Sequence, residues 1–165
     1  MTSYAQGTSV SANRSVAEIS HNVKRFGASE FGYIERPGAA LVGFAFQGYR
    51  VELGIDLPGP DEFAMTRTGR RRTARQQAEQ CAQEARRRWR ALAQVVKILC
   101  MAVDEGVLTF EEAFLAHLVL GDGRTVGHTL LPRLQEARDQ GALPSSLRMD
   151  HGGRLLPGPV KGGQT

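Results

Sequence analysis

The chain contains few cysteines and no long apolar run. Its two cysteines, Cys81 and Cys100, fall in one predicted helix. Nineteen residues of helix would place them roughly 28 Å apart, too far for a disulfide. No run approaches the ~20 apolar residues of a membrane-spanning helix. Residues 1–12 are polar and lack the apolar part of a secretory signal, so we expect a cytoplasmic protein.

The sequence also lacks the short motifs of common enzyme classes. It has no nucleophile-elbow serine, no phosphate-binding P-loop and no dinucleotide fingerprint after a strand. The glycine-rich stretch at residues 121–124 follows a predicted helix, which is typical of a turn. His117 and His128 belong to different predicted elements, and each cysteine stands alone, so no metal-ligand spacing is present. We therefore expect a protein that is not an enzyme and that holds no cofactor or metal.

Lysine is scarce, and arginine is concentrated in one place. Residues 67–90 contain nine Arg and two Glu, a net charge of +7, whereas the whole chain of 165 residues carries +4. All other residues therefore sum to −3. The protein is mildly acidic except for this stretch, which we call the arginine segment. Guanidinium groups keep their charge at any physiological pH.

The N-terminal part predicts a short first helix. Ser15 and Glu18 have the spacing of a capping box. Apolar residues follow at helical spacing: Val16, Ile19, Val23 and Phe26. The pattern predicts a helix over about residues 16–26. Residues 1–14 have no periodicity and are predicted to be a flexible tail.

Alternating apolar residues then predict a small sheet. Residues 31–34 form a short candidate strand, residues 42–46 alternate, and residues 49–57 alternate without a break. A period of two with one polar face is typical of a half-buried strand. Gln47-Gly48 has the composition of a hairpin turn. The pattern predicts an antiparallel sheet of two or three strands.

A long helix is predicted over about residues 73–105, which contain neither Gly nor Pro. Its length would be roughly 50 Å. An apolar stripe runs along it at steps of three and four: Ala78, Ala82, Ala85, Trp89, Leu92, Val96, Leu99 and Val103. The second half is predicted to form the core. The first half, where the stripe is made of alanines, is predicted to project or to pack against a partner.

The remaining sequence predicts two more helices and a tail. Thr109 and Glu112 form a second capping box, which begins a helix reaching about Leu120. A fourth helix is predicted over residues 125–140. Because Pro132 lies within it, the segment could form one helix or two. Residues 142–165 are predicted to be disordered. The fold class is α+β: a small antiparallel sheet covered by one long helix, with two further C-terminal helices, in a single domain over residues 15–141.

The arginine segment is the strongest candidate for a binding site. Guanidinium groups match phosphate oxygens, so the segment favours binding to the nucleic-acid backbone. The candidate residues are Arg67, Arg70, Arg71, Arg72, Arg75, Arg86, Arg87 and Arg90. A solvated helix face and a protein interface remain alternatives, because arginine is also enriched in interfaces.

Two further features could contribute to nucleic-acid binding. Tyr33 and Tyr49 could stack on bases if they faced outward, although the register of Tyr49 favours a core position. The third and fourth predicted helices, joined by a turn at residues 121–124, have the lengths of a helix-turn-helix. Pro132 and a near-neutral charge count against that interpretation.

One block of sequence resembles a known group of proteins. Residues 87–92, 109–117 and 123–127 carry the likeness, together with Lys97, Val103, Gly106, residues 25–28 and the hairpin. The block resembles a group of uncharacterised small proteins from bacteriophages and integrated mobile elements. The resemblance implies a non-secreted protein from such an element and carries no known activity. A small sheet followed by a long basic helix is also similar, in layout only, to the core of phage single-strand annealing proteins.

Two functions follow as expectations. The first is a non-enzymatic accessory protein of a phage or mobile element that binds the phosphate backbone of nucleic acid. The second is a protein-interaction module, such as an inhibitor or adaptor of a host complex, that acts through the long helix. That helix could also support self-association along Ala78, Ala82 and Ala85.

Overall fold

The computed structural model describes residues 4–142, with side chains from residue 12 onward. The chain divides into two compact units, residues 1–127 and 128–165. The first unit holds the sheet and the first three helices. The second unit, as far as it is described, is the remainder of the last helix. The tail predicted after residue 142 lies outside the described residues.

The sheet has three antiparallel strands, β1 (Glu30–Arg36), β2 (Ala39–Phe46) and β3 (Tyr49–Asp56), in the order β1-β2-β3. The turn between β2 and β3 is the predicted Gln47-Gly48. Both of its residues have positive φ, 47° and 85°, as a two-residue type I′ hairpin turn requires. The three-stranded form of the predicted sheet is therefore confirmed.

The long helix α2 (Ala74–Asp104) packs against one face of the sheet. It begins at a capping box, in which Thr73 Oγ1 accepts a hydrogen bond from the Gln76 amide at 3.3 Å. The residues of α2 that are buried are Cys81, Ala85, Trp89, Leu92, Ala93, Val96 and Cys100. The sheet contributes the alternating residues Ala40, Val42, Phe44, Val51 and Leu53. These two periodicities build the α+β core, and the predicted fold class is confirmed.

The first helix, α1 (Tyr4–Phe26), is longer than predicted and packs against α2. The predicted start near residue 16 is wrong. Ala12 is buried and lies four residues before Val16, so the apolar stripe continues upstream. Ser15 is itself buried inside the helix rather than capping it. Burial of the stripe against α2 outweighs the local capping signal.

The first half of α2 does not project, which corrects the prediction. Residues 57–72 fold back along it, with a short 3-10 helix at Pro60–Phe63. The Cys81 thiol donates a hydrogen bond to the Pro58 carbonyl oxygen at 3.0 Å. Ala85 is 5% exposed. The predicted alanine surface for self-association is thus largely occupied by the same chain.

The third helix is also shorter than predicted. α3 (Phe110–Phe114) begins at the predicted capping box but is followed by a 3-10 helix at Leu115–His117. The chain then runs beside β3, and the Val119 amide donates to the Arg50 carbonyl oxygen at 2.8 Å. Pairing with the edge of β3 replaces the last helical turns. The helix-turn-helix interpretation is therefore wrong, because its first helix is too short.

The last helix, α4 (Val126–Asp139), is continuous, with Pro132 inside it. The choice between one helix and two is therefore settled as one. Proline removes one backbone donor from the helical ladder, which costs stability without ending this helix. Within residues 4–142, no helix combines the length and apolar character needed to cross a membrane.

Candidate nucleic-acid interface

The first arginines of the segment lie on a small ordered hairpin. Thr66 and Arg70 face each other, and the Thr66 amide donates to the Arg70 carbonyl oxygen at 2.8 Å. Gly69 has φ +77° and donates to the Thr66 carbonyl oxygen at 3.0 Å. This is the pattern of a three-residue hairpin loop with glycine in the left-handed region. We call residues 65–71 the arginine hairpin. Its exposed guanidinium-bearing residues are Arg67, Arg70 and Arg71.

Arg72, although adjacent, points elsewhere. Its guanidinium donates to the Phe63 carbonyl oxygen at 3.2 Å and also to the carbonyl oxygen of Met65. The side chain is only half-exposed. Arg72 ties the base of the arginine hairpin to the 3-10 helix. We therefore leave it out of the candidate contacts with phosphate.

Arg75 lies on the first turn of α2 and forms an ion pair with Glu79 at 3.0 Å. Both side chains are mainly in solvent, 88% and 61% exposed. An exposed pair of this kind contributes little and exchanges readily with other partners. Arg75 therefore stays in the candidate set as an accessible cation.

Three further candidates meet at a surface recess of about 350 Å³ on α2. We call it the basic recess. Its lining residues are Phe63, Gln80, Gln83, Glu84, Arg86, Arg87 and Arg90. The glutamines and arginines share this side of the helix because their spacings are three, four and seven residues. The recess offers guanidinium and amide donors, which are the groups that bind phosphate oxygens.

Glu84 partly neutralises the basic recess. Its carboxylate accepts two hydrogen bonds from Arg87, both at 2.8 Å, and one from Arg88 at 3.1 Å. Arg86 and Arg90 have no carboxylate within ion-pair distance among the described residues. The same holds for the three exposed arginines of the hairpin. Five guanidinium groups along this surface are thus uncompensated within the described part of the chain.

The ion pairs give Glu84 a distinctive titration. Hydrogen bonds from Arg87, and then from Arg88, lower the pKa of Glu84 from 4.5 to about 2. Because the folded pKa is lowered, the stabilisation is complete above pH 4.5 and is lost as the pH falls towards 2. An NMR pH titration of the carboxyl carbon should give a midpoint near 2, moving towards 4.5 in Arg87→Ala. A wild-type midpoint near 4.5 would contradict the ion pair between Glu84 and Arg87.

Arg88 was not among the predicted site residues, and it has a structural role. It donates to the carbonyl oxygen of Asp56 at 2.7 Å, which fastens α2 to the end of β3. Arg88 lies four residues before buried Leu92 and seven after buried Cys81. Helical periodicity therefore signals its place at the margin of the core. Phe63 of the recess had no comparable signal in the sequence.

The two tyrosines lie on the core side of the sheet. Tyr33 meets Trp89 edge to face, with ring centroids 6.3 Å apart. Tyr49 packs against Phe110 at 5.6 Å. A hydrogen bond to Glu111, followed by the charge of that carboxylate, raises the pKa of Tyr49. The two residues are 47% and 39% exposed, but their rings face the core side of the sheet and neither lines the basic recess, so we leave them out of the candidate surface.

Two further reactive side chains, Cys100 and His117, are buried or half-buried. Burial raises the pKa of the Cys100 thiol to about 11. Burial also lowers the pKa of His117, against a hydrogen bond to the backbone of Glu52. The described residues contain no group of three or more His, Cys, Asp or Glu that could hold a metal ion.

Comparison of the chain with family models, curated proteins and solved structures finds no match. The candidate site is therefore defined by its own geometry.

Proposed function

We propose that the protein binds nucleic acid through the phosphate backbone, without catalysis and largely without sequence preference. The arginine hairpin and the basic recess would form one continuous contact. In line with the resemblance to proteins of bacteriophages and mobile elements, the proposed role is that of an accessory protein of such an element, acting in the cytoplasm.

One observation carries the proposal: five uncompensated arginines lie on one hairpin and the helix that follows it. They are Arg67, Arg70, Arg71, Arg86 and Arg90. A solvated helix face usually balances its cations with nearby carboxylates, as Arg75 and Glu79 do here. Clustered arginine without that balance favours an anionic partner with repeated charges.

The spacing of the helical arginines suits a regular backbone. From Arg75 to Arg86 is eleven residues and from Arg75 to Arg90 fifteen, so all three project within about 60° of one another. Arg75 and Arg90 lie roughly 22 Å apart along the helix. That length corresponds to six or seven nucleotides at about 3.4 Å each. The surface could therefore follow several phosphates of one strand.

Fluorescence anisotropy with labelled oligonucleotides tests the proposal. At low salt we expect saturable binding to single-stranded and double-stranded DNA, with similar affinity for two unrelated sequences. A polyanion without nucleobases, such as heparin, should compete with DNA for the protein because recognition is electrostatic. Absence of binding at low salt would contradict the proposal, and so would binding confined to one sequence.

Removing the negative charge of the basic recess should strengthen binding. Glu84→Gln frees Arg87 from its two-bond pair while preserving side-chain size. We expect DNA affinity to rise by about three- to tenfold at low salt, because one repulsive negative charge is lost and the Arg87 guanidinium is released from its ion pair. The anisotropy titration measures this change. The matched control is Glu35→Gln, which removes one negative charge at an exposed position on β1, outside the arginine segment, and should have a smaller effect. An unchanged or lower affinity in Glu84→Gln would exclude the recess from the contact.

A further inference from the structure

The second half of α2 carries a second apolar stripe, most of which is exposed to solvent. Its members recur at steps of four, three and four: Ala91, Val95, Ile98 and Ala102. Val95 is 46% exposed and Ile98 is 56% exposed. We call these four residues the outer stripe. The residues of α2 that pack into the core lie on another face of the helix, so Ala91, Val95 and Ile98 remain exposed, and Ala102 is half-buried.

The outer stripe has charged residues of opposite sign near its two ends. Arg87 precedes it and Glu105 follows it, eighteen residues apart. Glu105 is the C-cap residue directly after α2. Eighteen residues make five helical turns, so both side chains project along the same edge of the stripe. Glu105 is exposed and has no cation within ion-pair distance among the described residues. Arg87 is 74% exposed and can reach beyond its pair with Glu84.

The stripe and its charges are symmetric about one point. The midpoint between Val95 and Ile98 coincides with the midpoint between Ala91 and Ala102. The midpoint between Arg87 and Glu105 lies half a residue away, or about 0.75 Å along the helix. A two-fold axis at this point would place Val95 of one copy opposite Ile98 of an antiparallel second copy, and Ala91 opposite Ala102. Apolar residues would meet apolar residues, and arginine would meet glutamate.

We propose that α2 pairs with α2 of a second copy of this chain, antiparallel and along the outer stripe. The two alanine positions allow the helix axes to approach closely on either side of the central Val95 and Ile98 contact. Arg87 of each copy faces Glu105 of the other at both ends of the interface. A partner of different sequence would not require this self-complementary arrangement.

Sedimentation equilibrium without nucleic acid tests the pairing separately from DNA binding. The wild-type protein should shift reversibly between the masses of one and two chains as concentration changes. Val95→Glu with Ile98→Glu should raise the dissociation constant by at least about a hundredfold, because charge enters the centre of the interface. The control is Lys97→Glu, which makes the same change in net charge at an exposed position outside the stripe and should leave the dimer intact. Far-UV circular dichroism verifies that each variant is folded.

Charge reversal tests the antiparallel register. Arg87→Glu and Glu105→Arg should each weaken the dimer by several-fold to about tenfold, since each places like charges together at both ends. The double variant should recover most of the wild-type affinity, because the pair is restored with reversed sign. A wild-type protein that is monomeric at every concentration would overturn the proposal. A dimer that survives the joint change Val95→Glu and Ile98→Glu would overturn it as well. So would a protein with both Arg87→Glu and Glu105→Arg that dimerises no more tightly than either single variant.

Discussion

Replacing Arg67, Arg70 and Arg71 together by Ala should weaken DNA binding by roughly a hundredfold, or about 0.9 kcal/mol for each arginine. The three side chains are exposed on the arginine hairpin and form no ion pair within the described residues. The hairpin itself is held by Thr66, Gly69 and backbone hydrogen bonds. The variant should therefore keep its fold while losing three phosphate contacts.

A matched control removes the same amount of charge elsewhere. Arg14, Arg25 and Arg36 are exposed on α1 and β1, outside the arginine segment. Their joint replacement by Ala should reduce affinity only through the change in net charge, which is a much smaller effect near physiological salt. Equal losses in the two triple variants would mean that the hairpin makes no specific contact with the backbone.

Trp89→Ala should destabilise the fold by about 3 to 5 kcal/mol, the range for deletion of a large buried aromatic side chain. Trp89 is 1% exposed and lies on the face of α2 that meets the sheet, with Tyr33 against its edge. Truncation leaves a cavity between the helix and the sheet. Chemical denaturation followed by far-UV circular dichroism measures the loss, since Trp89 is the single tryptophan and cannot serve as the probe.

The conservative change Trp89→Phe should cost much less. Within the described structure the indole Nε1 of Trp89 has no hydrogen-bond partner, so removing it relieves an unsatisfied buried donor. Phenylalanine retains most of the apolar contact with the sheet. A Trp89→Ala protein as stable as the wild type would contradict the proposed core, and so would a Trp89→Phe protein as unstable as Trp89→Ala.

The sequence predicted the core well because the core is built from regular periods. Alternation over residues 49–57 defined β3, and steps of three and four defined α2. Trp89, Leu92 and Val96 are buried as that pattern requires. A residue's side of a strand or helix depends only on its spacing, so this part of the fold could be inferred without tertiary information.

The remaining elements depend on contacts that no local pattern encodes. The arginine hairpin is formed by short hydrogen bonds around Thr66 and Gly69, with no apolar alternation to reveal it. The end of α3 is decided by pairing of residues 118–119 with β3, a partner distant in sequence. The start of α1 depends on burial of Ala12. In each case, contacts between residues decide the structure where the local sequence pattern does not.

The candidate site was predicted as a set but not in its details. Helical spacing could place Arg86, Arg87 and Arg90 on one side of α2. It could not show that Glu84 holds Arg87 with two hydrogen bonds, or that Arg72 turns towards backbone carbonyls. These pairings depend on side-chain conformations. Of the eight predicted arginines, five have no ion pair within the described residues and two are ion-paired. The eighth, Arg72, supports the arginine hairpin.

The salt dependence of DNA binding tests the central claim most directly. Each phosphate contact on duplex DNA contributes about −0.9 to the slope of log affinity against log salt concentration. The five uncompensated arginines therefore predict a slope of about −4.5 for the wild type, falling to about −1.8 in the triple hairpin variant. A wild-type slope near zero, or an identical slope in the two proteins, would contradict binding to the phosphate backbone through this surface.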